Sequence, residues 1–494
     1  MLSLTICQRP ISASTLGRAN LVPQTGDRAG GRRFRAWAGV IVRPVPAPRV
    51  LALDVGTSSV RASVFDETAE ERDEPARRDY PGEYDPDRVL ARTREAIEEA
   101  GGAEKVDAVG TACFGHSLLA LDRHARPLTP ILSWRDTRSA DAADRLLRRL
   151  DNDAVHARTG CQIHTSYWPA KLAWLADEQP EVFRSAHRFV SFCDYLYEQL
   201  LGREVPASIS MASPTGLVDL RTRTWDAELL EVLGVDAQRL PVIEDAPVDG
   251  WYPALFDGAC SNLGAGCVTR ERAALMVGTS GAIRVVDETD RPEPRPGLFL
   301  HWVDETRVVE GGSLSDGGNL YAWMEQTFRE AGAGSLADRD PDSHGLTFLS
   351  LLGGERSPGW HQHAKGAVHG LTFQTTPLDL RQAGLEGVAF RFAEVAELLP
   401  GIEEIVVTGG ALLRDPDWVQ IMADSLGRPV TTSGVKEASL RGAAVVVLER
   451  LGETPPPAPL GPVVEPRADK AEAFRAARER QRRLYAVVTS EPTS

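Results

Sequence analysis

Two short turns rich in glycine and hydroxyl side chains have the composition of phosphate-binding loops. They are Gly56-Thr57-Ser58 and Gly278-Thr279-Ser280, and each joins two largely apolar runs. Glycine lets the backbone approach an oxygen closely, while amide N–H groups and hydroxyls donate hydrogen bonds to it. A lone turn of this kind is ordinary. Two in similar surroundings predict a pair of phosphate-binding hairpins.

Asp54 is an acid at the end of the apolar run that leads into the first turn. A carboxylate in apolar surroundings is costly unless it is paired, hydrogen-bonded or close to a metal. Carboxylate oxygens are ligands that suit Mg²⁺. The sequence therefore predicts a magnesium-associated role for Asp54, either directly or through water.

Similar strand patterns surround the two turns. Residues 50–54 and 60–65 resemble strands around the first turn, and residues 273–286 repeat this layout around the second. Helix and strand signals alternate elsewhere: helices are predicted at 89–100, 139–150 and 415–427, and strands at 106–113 and 405–407. This alternation is typical of α/β proteins, and the repeat indicates two domains of like design.

Bulk properties narrow the class of protein. A chain of 494 residues exceeds what one core supports, so two or more domains are expected. The net charge of −15 argues against a general nucleic-acid or anionic membrane surface. No apolar run reaches the roughly 18 residues of a membrane span. Six scattered cysteines are too sparse for a disulfide framework, which indicates a reducing cytoplasm.

The two ends of the chain differ in composition from the middle. Residues 1–48 are rich in arginine, contain the single acid Asp27 and end in a proline-rich run. They resemble a transit peptide but lack a clear amphipathic period. We expect a disordered extension or a misassigned start. The prolines after Thr454 are expected to end the compact body, leaving residues 453–494 as a tail with a peripheral helix.

The motifs, taken in order, resemble those of the FGGY carbohydrate kinases. Asp54 to Ala62 is similar to the DxGTxxxRA phosphate hairpin of that family, and Gly278 to Gly281 is similar to its second hairpin. His116 in CFGHSLLALD resembles the sugar-contacting segment, and Trp134 to Arg138 resembles the WxDxR segment. Further glycine pairs are similar to segments that line the nucleotide cleft: Gly311-Gly312, Gly317-Gly318 and Gly409-Gly410. The resemblance covers residues 49–452, and within the family the motifs are most similar to those of the gluconokinase branch.

This resemblance implies a fold and a reaction. The implied fold is α/β, with two actin-like (ribonuclease-H-like) domains flanking a catalytic cleft. Residues 49–260 would form the sugar-binding domain and residues 261–452 the nucleotide-binding domain. The implied reaction is ATP-dependent phosphorylation of a sugar or sugar acid, most like gluconate to 6-phosphogluconate, with Mg²⁺ as the metal.

The resemblance also implies which residues form the site. Asp257 would be the general base and a substrate contact, and Asp54 the metal ligand. The remaining substrate contacts would be His116, Trp134 and Asp136. The ATP and phosphate contacts would be Gly56, Thr57, Ser58, Arg61, Gly278, Thr279, Ser280, Gly318, Gly409 and Gly410.

Asp257 departs from the family pattern in its neighbour. A carboxylate that accepts the proton of a sugar hydroxyl accelerates transfer by about 10²–10⁴. The preceding residue is Phe256, where the family usually has glycine. A bulky residue adopts a positive φ only at a cost of about 1–2 kcal/mol. Either the turn needs only ordinary dihedral angles, or the loop is rearranged.

Several alternatives remain open. Xylulose or another pentulose or polyol is the alternative substrate, and a non-catalytic actin-fold sensor or scaffold is the alternative function. Asp136 and Arg138 could bind a sugar, or could be a helix-entry acid and a solvated base. His361 and His363 have no cysteine or acid beside them that completes a metal site. The expected partner is a small sugar, with no nucleic acid or membrane, and a homodimer is the assembly to test.

Overall fold

The computed structural model describes residues 47–328, 336 and 339–490. The predicted extension, residues 1–48, lies outside this part of the chain except for positions 47–48. The strands of the described residues, in chain order, are β1 Val50–Val55, β2 Ser59–Phe65, β3 Ala76–Asp79, β4 Ala108–Cys113, β5 Leu119–Leu121, β6 Arg188–Val190, β7 Val218–Asp219, β8 Thr224–Trp225, β9 Leu255–Phe256, β10 Arg272–Val277, β11 Gly281–Glu288, β12 Phe299–Trp302, β13 Arg307–Leu314, β14 Thr347–Leu349, β15 Ala367–His369, β16 Glu404–Thr408, β17 Val430–Ser433 and β18 Leu460–Val464.

The α-helices of the same residues are α1 Pro86–Glu99, α2 Ala140–Leu147, α3 Asn152–Thr159, α4 Trp168–Glu178, α5 Pro180–Ser185, α6 Phe192–Leu201, α7 Ile209–Ala212, α8 Ala227–Leu233, α9 Asp257–Gly264, α10 Gly318–Thr327, α11 Pro377–Glu397, α12 Gly410–Leu413, α13 Pro416–Leu426, α14 Ala438–Arg450 and α15 Ala471–Ser490. No helix in the described ranges combines the length and the apolar character needed to cross a bilayer.

The first large sheet has the strand order β3-β2-β1-β4-β9. The first three strands pair antiparallel, and β4 and β9 then add in parallel. Every residue of β1 and β4 is buried, as expected for central strands covered on both faces.

The second large sheet repeats this plan. Its order is β12-β13-β11-β10-β16-β17-β18, in which β13, β11 and β10 are antiparallel and β16 and β17 add in parallel. The edge strands β12 and β18 have no counterpart in the first sheet. The shared central order confirms the α/β prediction of two related, actin-like domains.

Two helices that pack together, α9 and α14, connect the sheets. The α14 helix follows the second sheet in the chain, yet Leu440 and Val447 belong to the same buried cluster as Val50 and Ala108 of the first. Close approach is possible because a Cβ on Gly264 of α9 would lie 1.8 Å from the carbonyl oxygen of Ala438. Asp257, at the start of α9, is therefore held between the two sheets.

Local capping explains where the predicted helices begin and end. The helix predicted at 89–100 is α1, which starts earlier because the Asp85 carboxylate accepts hydrogen bonds from the amides of Asp87 and Arg88. The helix predicted at 415–427 is α13, with Asp415 as its N-cap and Gly427 in the left-handed conformation at its end.

The segment after Thr454, expected to lie outside the compact body, packs on the second sheet. Strand β18 pairs with β17. Helix α15 buries Phe474 and Ala477 in the core of this half, and the Gln481 side chain donates to the carbonyl oxygens of Phe348 and Gly387.

Candidate active site

The first predicted hairpin forms between β1 and β2. Val55 pairs with Val60, and the Gly56 amide donates to the carbonyl oxygen of Ser59. Tyr80 holds the turn from outside: its hydroxyl donates to the Gly56 carbonyl at 2.8 Å and its amide donates to the Ser58 carbonyl at 2.8 Å.

The second predicted hairpin forms between β10 and β11, and helix α10 holds it. Val277 pairs with Gly281. At the start of α10, the Gly318 amide donates to the Gly278 carbonyl and the Asn319 amide donates to the Thr279 carbonyl, each at 2.9 Å. Because these two amides are occupied, Gly318 acts on the turn through its backbone.

Both turns present free donors at their tips. In each turn, neighbouring groups bind carbonyl oxygens, which fixes the orientation of the peptide planes. The amides and hydroxyls of Thr57, Ser58, Thr279 and Ser280 have no hydrogen-bond partner among the described residues. Free N–H and O–H groups on a fixed backbone are what an anion-binding loop requires.

Gly409 and Gly410 lie beside the second hairpin. Gly409 has φ +95°, and a Cβ there would lie 2.4 Å from the Val277 carbonyl oxygen. At Gly410 the nearest atom to such a Cβ is the Arg414 Nη1, 4.0 Å away. Gly409 therefore supports the hairpin by close packing, whereas Gly410 faces open space.

Asp54 belongs to a chain of charges at the first hairpin. Arg61, its cross-strand partner, lies with Nη1 3.1 Å from the Asp54 Oδ2 and with Nε 3.3 Å from the Glu437 Oε1. Burial raises the pKa of Asp54 to about 7; Arg61 opposes this rise, and the charges of Asp257 and Glu437 add to it. Two carboxylates therefore balance the charge of Arg61, the predicted phosphate contact.

Asp257 is the first residue of α9. Its Oδ1 accepts the Gly258 amide at 2.8 Å. Burial raises the pKa of Asp257 to about 6, while Arg284, the Gly258 amide and Arg356 oppose the rise. Because Asp54 is on the first hairpin and Arg284 on β11 of the second, the electrostatic influence of both hairpins meets at Asp257.

Phe256 does not strain the loop. Its φ of −57° and ψ of 127° are ordinary values, so the position has no need of glycine. The Phe256 ring fills the space beside two glycines, since a Cβ would lie 2.7 Å from it at Gly115 and 2.5 Å from it at Gly258. The turn at Phe256 therefore needs only ordinary dihedral angles, which is the first of the two possibilities for this loop.

His116 is buried beside the Phe256 ring and is held at both ends. Its Nδ1 lies 2.6 Å from the Pro214 carbonyl oxygen, and its own carbonyl accepts a hydrogen bond from Lys171 Nζ. Burial, with a smaller effect of His301, lowers the pKa of His116 well below its usual range. The ring is therefore neutral, with its proton on Nδ1 and Nε2 free to accept a hydrogen bond.

The structure places the remaining predicted substrate residues, Trp134 and Asp136, on one side of His116. The Trp134 ring lies under the guanidinium of Arg356, with 4.5 Å from Cζ to the ring centre. Arg138 Nε donates to the Asp136 Oδ1 at 2.9 Å. Burial alone would raise the pKa of Asp136, but hydrogen bonds from Arg138 bring it below its usual range. Asp136 is thus ionised, and it also acts electrostatically on Lys171.

Three polar residues of this site were not singled out from the sequence. They are Arg284, His301 and Arg356, and all are buried. Arg284 and His301 interrupt apolar strands in GAIRVV and FLHW, which is a signal that sequence analysis could have used. Arg356 is in a loop and carries no such signal.

The histidines of the 361–363 segment have acids beside them after all. Asp141 and Asp144 of α2 come close to His363, with ligand-capable atoms within 4.8 Å of one another. Asp144 already accepts hydrogen bonds from the Gln362 side chain and pairs with His363 at 2.8 Å. The lack of an acid next to these histidines in the sequence therefore does not predict the acids of α2 that lie beside His363 in the structure.

Asp54 suits a hard divalent cation. It lies on the first hairpin, and burial and the charge of Asp257 both raise its pKa. Mg²⁺ prefers carboxylate oxygens and would compensate this charge. Asp54 therefore fits the predicted metal, and Asp257 remains available as the base.

Two protein-family models match the chain. The model described as "FGGY family of carbohydrate kinases, N-terminal domain" matches residues 49–247. The corresponding C-terminal domain model matches residues 273–448. The two matches fall on the two repeated sheets.

Similar proteins carry the names of sugar and polyol kinases. A gluconokinase of Bacillus subtilis (strain 168) is 27% identical over 82% of this chain and 88% of its own length. A glycerol kinase of Thermus brockianus is 32% identical over 80% of this chain and 88% of its own. The crystal structure of a gluconate kinase from Lactobacillus acidophilus shares the fold, with a TM-score of 0.79, 24% identity, and coverage of 90% of this chain and 99% of that one.

Proposed function

Because this chain belongs to the FGGY family of carbohydrate kinases, we propose that it transfers the γ-phosphoryl group of ATP to a hydroxyl of gluconate, giving 6-phosphogluconate. The position of Asp257 carries the proposal: it begins α9, which packs between the two sheets, its charge acts on Asp54 of the first hairpin, and Arg284 on β11 of the second acts on it. The similarity to a named gluconokinase over most of the chain supports gluconate as the acceptor.

In the proposed reaction the Asp257 carboxylate accepts the proton of the substrate hydroxyl. The hydroxyl oxygen forms a bond to the γ-phosphorus as the bond from that phosphorus to the bridging oxygen of ADP breaks. A sugar hydroxyl has a pKa far above neutrality, so proton removal during transfer is worth about 10²–10⁴ in rate. The raised pKa of Asp257, about 6, brings the base closer to neutral pH while leaving it mostly ionised.

The free donors of the two hairpins would bind the phosphate oxygens. The amides and hydroxyls of Thr57, Ser58, Thr279 and Ser280 are unpaired among the described residues and supply fixed dipoles for the charge that develops. Asp54 would hold Mg²⁺, which, when bound, neutralises part of the phosphate charge.

The neutral imidazole of His116 would accept a hydrogen bond from a substrate hydroxyl through Nε2. The Pro214 carbonyl fixes the ring through Nδ1, and Lys171 fixes the backbone carbonyl of His116. Such buried, preoriented polar groups discriminate strongly among polyhydroxylated substrates, because a substrate that leaves one unpaired binds poorly.

A polyol kinase is the second candidate, since the glycerol kinase relative has the higher identity, 32%. A coupled assay with ATP, Mg²⁺ and a panel of gluconate, xylulose and glycerol separates the two. We expect the highest kcat/KM with gluconate and 6-phosphogluconate as product. A higher kcat/KM with glycerol or xylulose would replace gluconate as the substrate, and ATP hydrolysis without a phosphorylated sugar would remove the transfer reaction.

A further inference from the structure

Arg284 is a buried arginine without a complete set of partners. It is 5% exposed and belongs to β11. Its Nε and Nη1 atoms are buried and have no hydrogen-bond partner among the described residues. Leaving charged donors buried and unpaired costs stability, so such an arrangement persists where a ligand completes it.

Arg356 is a second arginine of this kind on the same side of Asp257. It is 8% exposed, and its Nη2 donates to the Leu314 carbonyl at 2.9 Å. Its guanidinium lies on the Trp134 ring, and its buried Nε has no partner in the described part of the chain. The hydrogen bond from Nη2 and the stacking on the Trp134 ring thus fix the orientation of the guanidinium group. Its Nε edge remains available to a ligand.

Arg391 is a buried arginine that differs from these two in its carboxylate partners, although its Nε also lacks a hydrogen-bond partner in the described ranges. It is 2% exposed, and its guanidinium pairs with the carboxylates of Glu355 and Glu394. Arg284 and Arg356 have no such carboxylate: no ion pair within 4.0 Å joins either of them to an acid of the described residues. The charge of Asp257 acts on both guanidinium groups, but neither has a directly paired carboxylate among the described residues.

Both guanidinium groups remain charged at neutral pH. Burial lowers the pKa of Arg284 to about 10. Burial also lowers the pKa of Arg356 to about 10, and the charge of Arg284 adds to this effect. The neighbouring His116 and His301 are neutral because burial lowers the pKa of each. Two like charges that act on each other and have no directly paired carboxylate form a site for an anionic ligand.

The position of the pair favours the sugar over the nucleotide phosphates. Arg356 stacks on Trp134, beside His116 and Asp136. The Arg284 guanidinium carbon lies 3.1 Å from the place of a Cβ on Gly258, next to Asp257. Arg284 is three positions along β11 from Gly281, so the phosphate-binding turn lies about 10 Å of backbone away.

We propose that Arg284 and Arg356 bind the carboxylate of a sugar acid and thereby make this kinase select acids over neutral sugars. The proposal rests on the proposed function, because it concerns the acceptor of that reaction. A guanidinium fork matches a carboxylate through two parallel N–H···O bonds, which a neutral group reproduces poorly.

The test compares gluconate with gluconamide, which keeps every hydroxyl and replaces only the carboxylate by a neutral amide. We expect the wild-type chain to prefer gluconate in kcat/KM by about tenfold or more. In Arg356→Gln and Arg284→Gln the preference should shrink toward one, mainly through a higher KM for gluconate, while the KM for ATP changes little. The assays are run at pH 8, because loss of either guanidinium raises the pKa of Asp257 and lowers turnover of both acceptors at lower pH. Turnover of gluconamide also reports that each variant is folded.

Two further sets of variants keep the test decisive. Arg356→Lys and Arg284→Lys retain the charge but not the fork, so each should keep part of the preference. Arg441→Gln is the matched control, since Arg441 is equally buried at 7% exposure and donates only to the carbonyl oxygens of Gly264 and Pro456. It should keep the full preference.

Three outcomes would overturn the proposal. Equal losses with gluconate and gluconamide, together with a raised KM for ATP, would place the arginines on the transferring phosphoryl group. An unchanged preference in every arginine variant would remove them from substrate recognition while leaving gluconate as the substrate. A wild-type chain that phosphorylates neutral sugars and no sugar acid would overturn the gluconate assignment and the carboxylate site together.

Discussion

The two hairpins share a scaffold but differ in charge. Each turn has the sequence Gly-Thr-Ser, and each joins the first two strands of sheets with the same central order. The first carries Asp54, which pairs with Arg61. At the matching place before the second turn stands Met276. The loops also differ, since Val55 pairs with Val60 across the first and Val277 with Gly281 across the second.

The comparison separates phosphate binding from cation binding, which the repeated sequence alone does not distinguish. Free amides and hydroxyls occur in both turns, so both can bind phosphate. The acid occurs in the first only, where the charge of Asp257 contributes to its raised pKa, so we propose cation binding for that half. The second turn has no acid before it and is held by backbone contacts with α10 and Gly409.

The largest effect on activity is expected at Asp257, which interacts electrostatically with residues of both hairpins. Asp257→Asn should lower kcat by about 10²–10⁴ and leave the KM for ATP nearly unchanged, because the amide cannot accept the substrate proton. Steady-state kinetics with each substrate varied in turn measure both quantities. A variant with wild-type turnover would show that Asp257 is not the base.

The second prediction uses the charge difference directly. Asp54→Asn should lower kcat/KM by about 10² and raise the Mg²⁺ concentration needed for half-maximal rate, because it removes a charge that stabilises the cation. Met276→Leu is the matched substitution on the other hairpin and should leave the Mg²⁺ dependence as it is. Equal Mg²⁺ dependence in both variants would show that cation binding does not belong to the first hairpin alone.

The third prediction concerns pH. Asp257 accepts a proton only when ionised, and burial raises its pKa to about 6. At saturating Mg²⁺, kcat/KM should therefore fall with decreasing pH by about tenfold per unit below pH 6, and reach a plateau above pH 7. The profile is measured between pH 5 and 8 with the residual rate of Asp257→Asn as its baseline. An acidic limb near pH 4 would mean that the carboxylate is not desolvated.

The smallest effect is expected at the support of the second hairpin. Gly409→Ala places a side chain on a residue with φ +95° and against the Val277 carbonyl, so it should lower the free energy of unfolding by about 1–3 kcal/mol. Gly410→Ala has open space and should be nearly neutral. Urea unfolding curves of the two variants give the difference. Equal midpoints would mean that this contact is not needed to hold the turn.

The fold and the polar turns could be predicted because their signals are local. Apolar runs, caps such as Asp415 and the repeated Gly-Thr-Ser turns need only a few neighbouring residues to be recognised. The unpaired arginines could not be predicted, because the lack of a partner depends on every element packed around the side chain. The contact of His363 with Asp144 joins positions 219 residues apart, which no local pattern encodes.

Phe256 also has an evolutionary consequence. Its ring occupies the space where side chains at 115 and 258 would begin, so both positions are restricted to glycine while the phenylalanine is present. A change to glycine at 256 would free position 115 and would leave position 258 restricted by the Arg284 Cζ, at 3.1 Å. The three positions therefore cannot vary independently: a descendant of this chain that acquires a side chain at either glycine must first lose the ring, and the order of the substitutions decides whether an intermediate remains active.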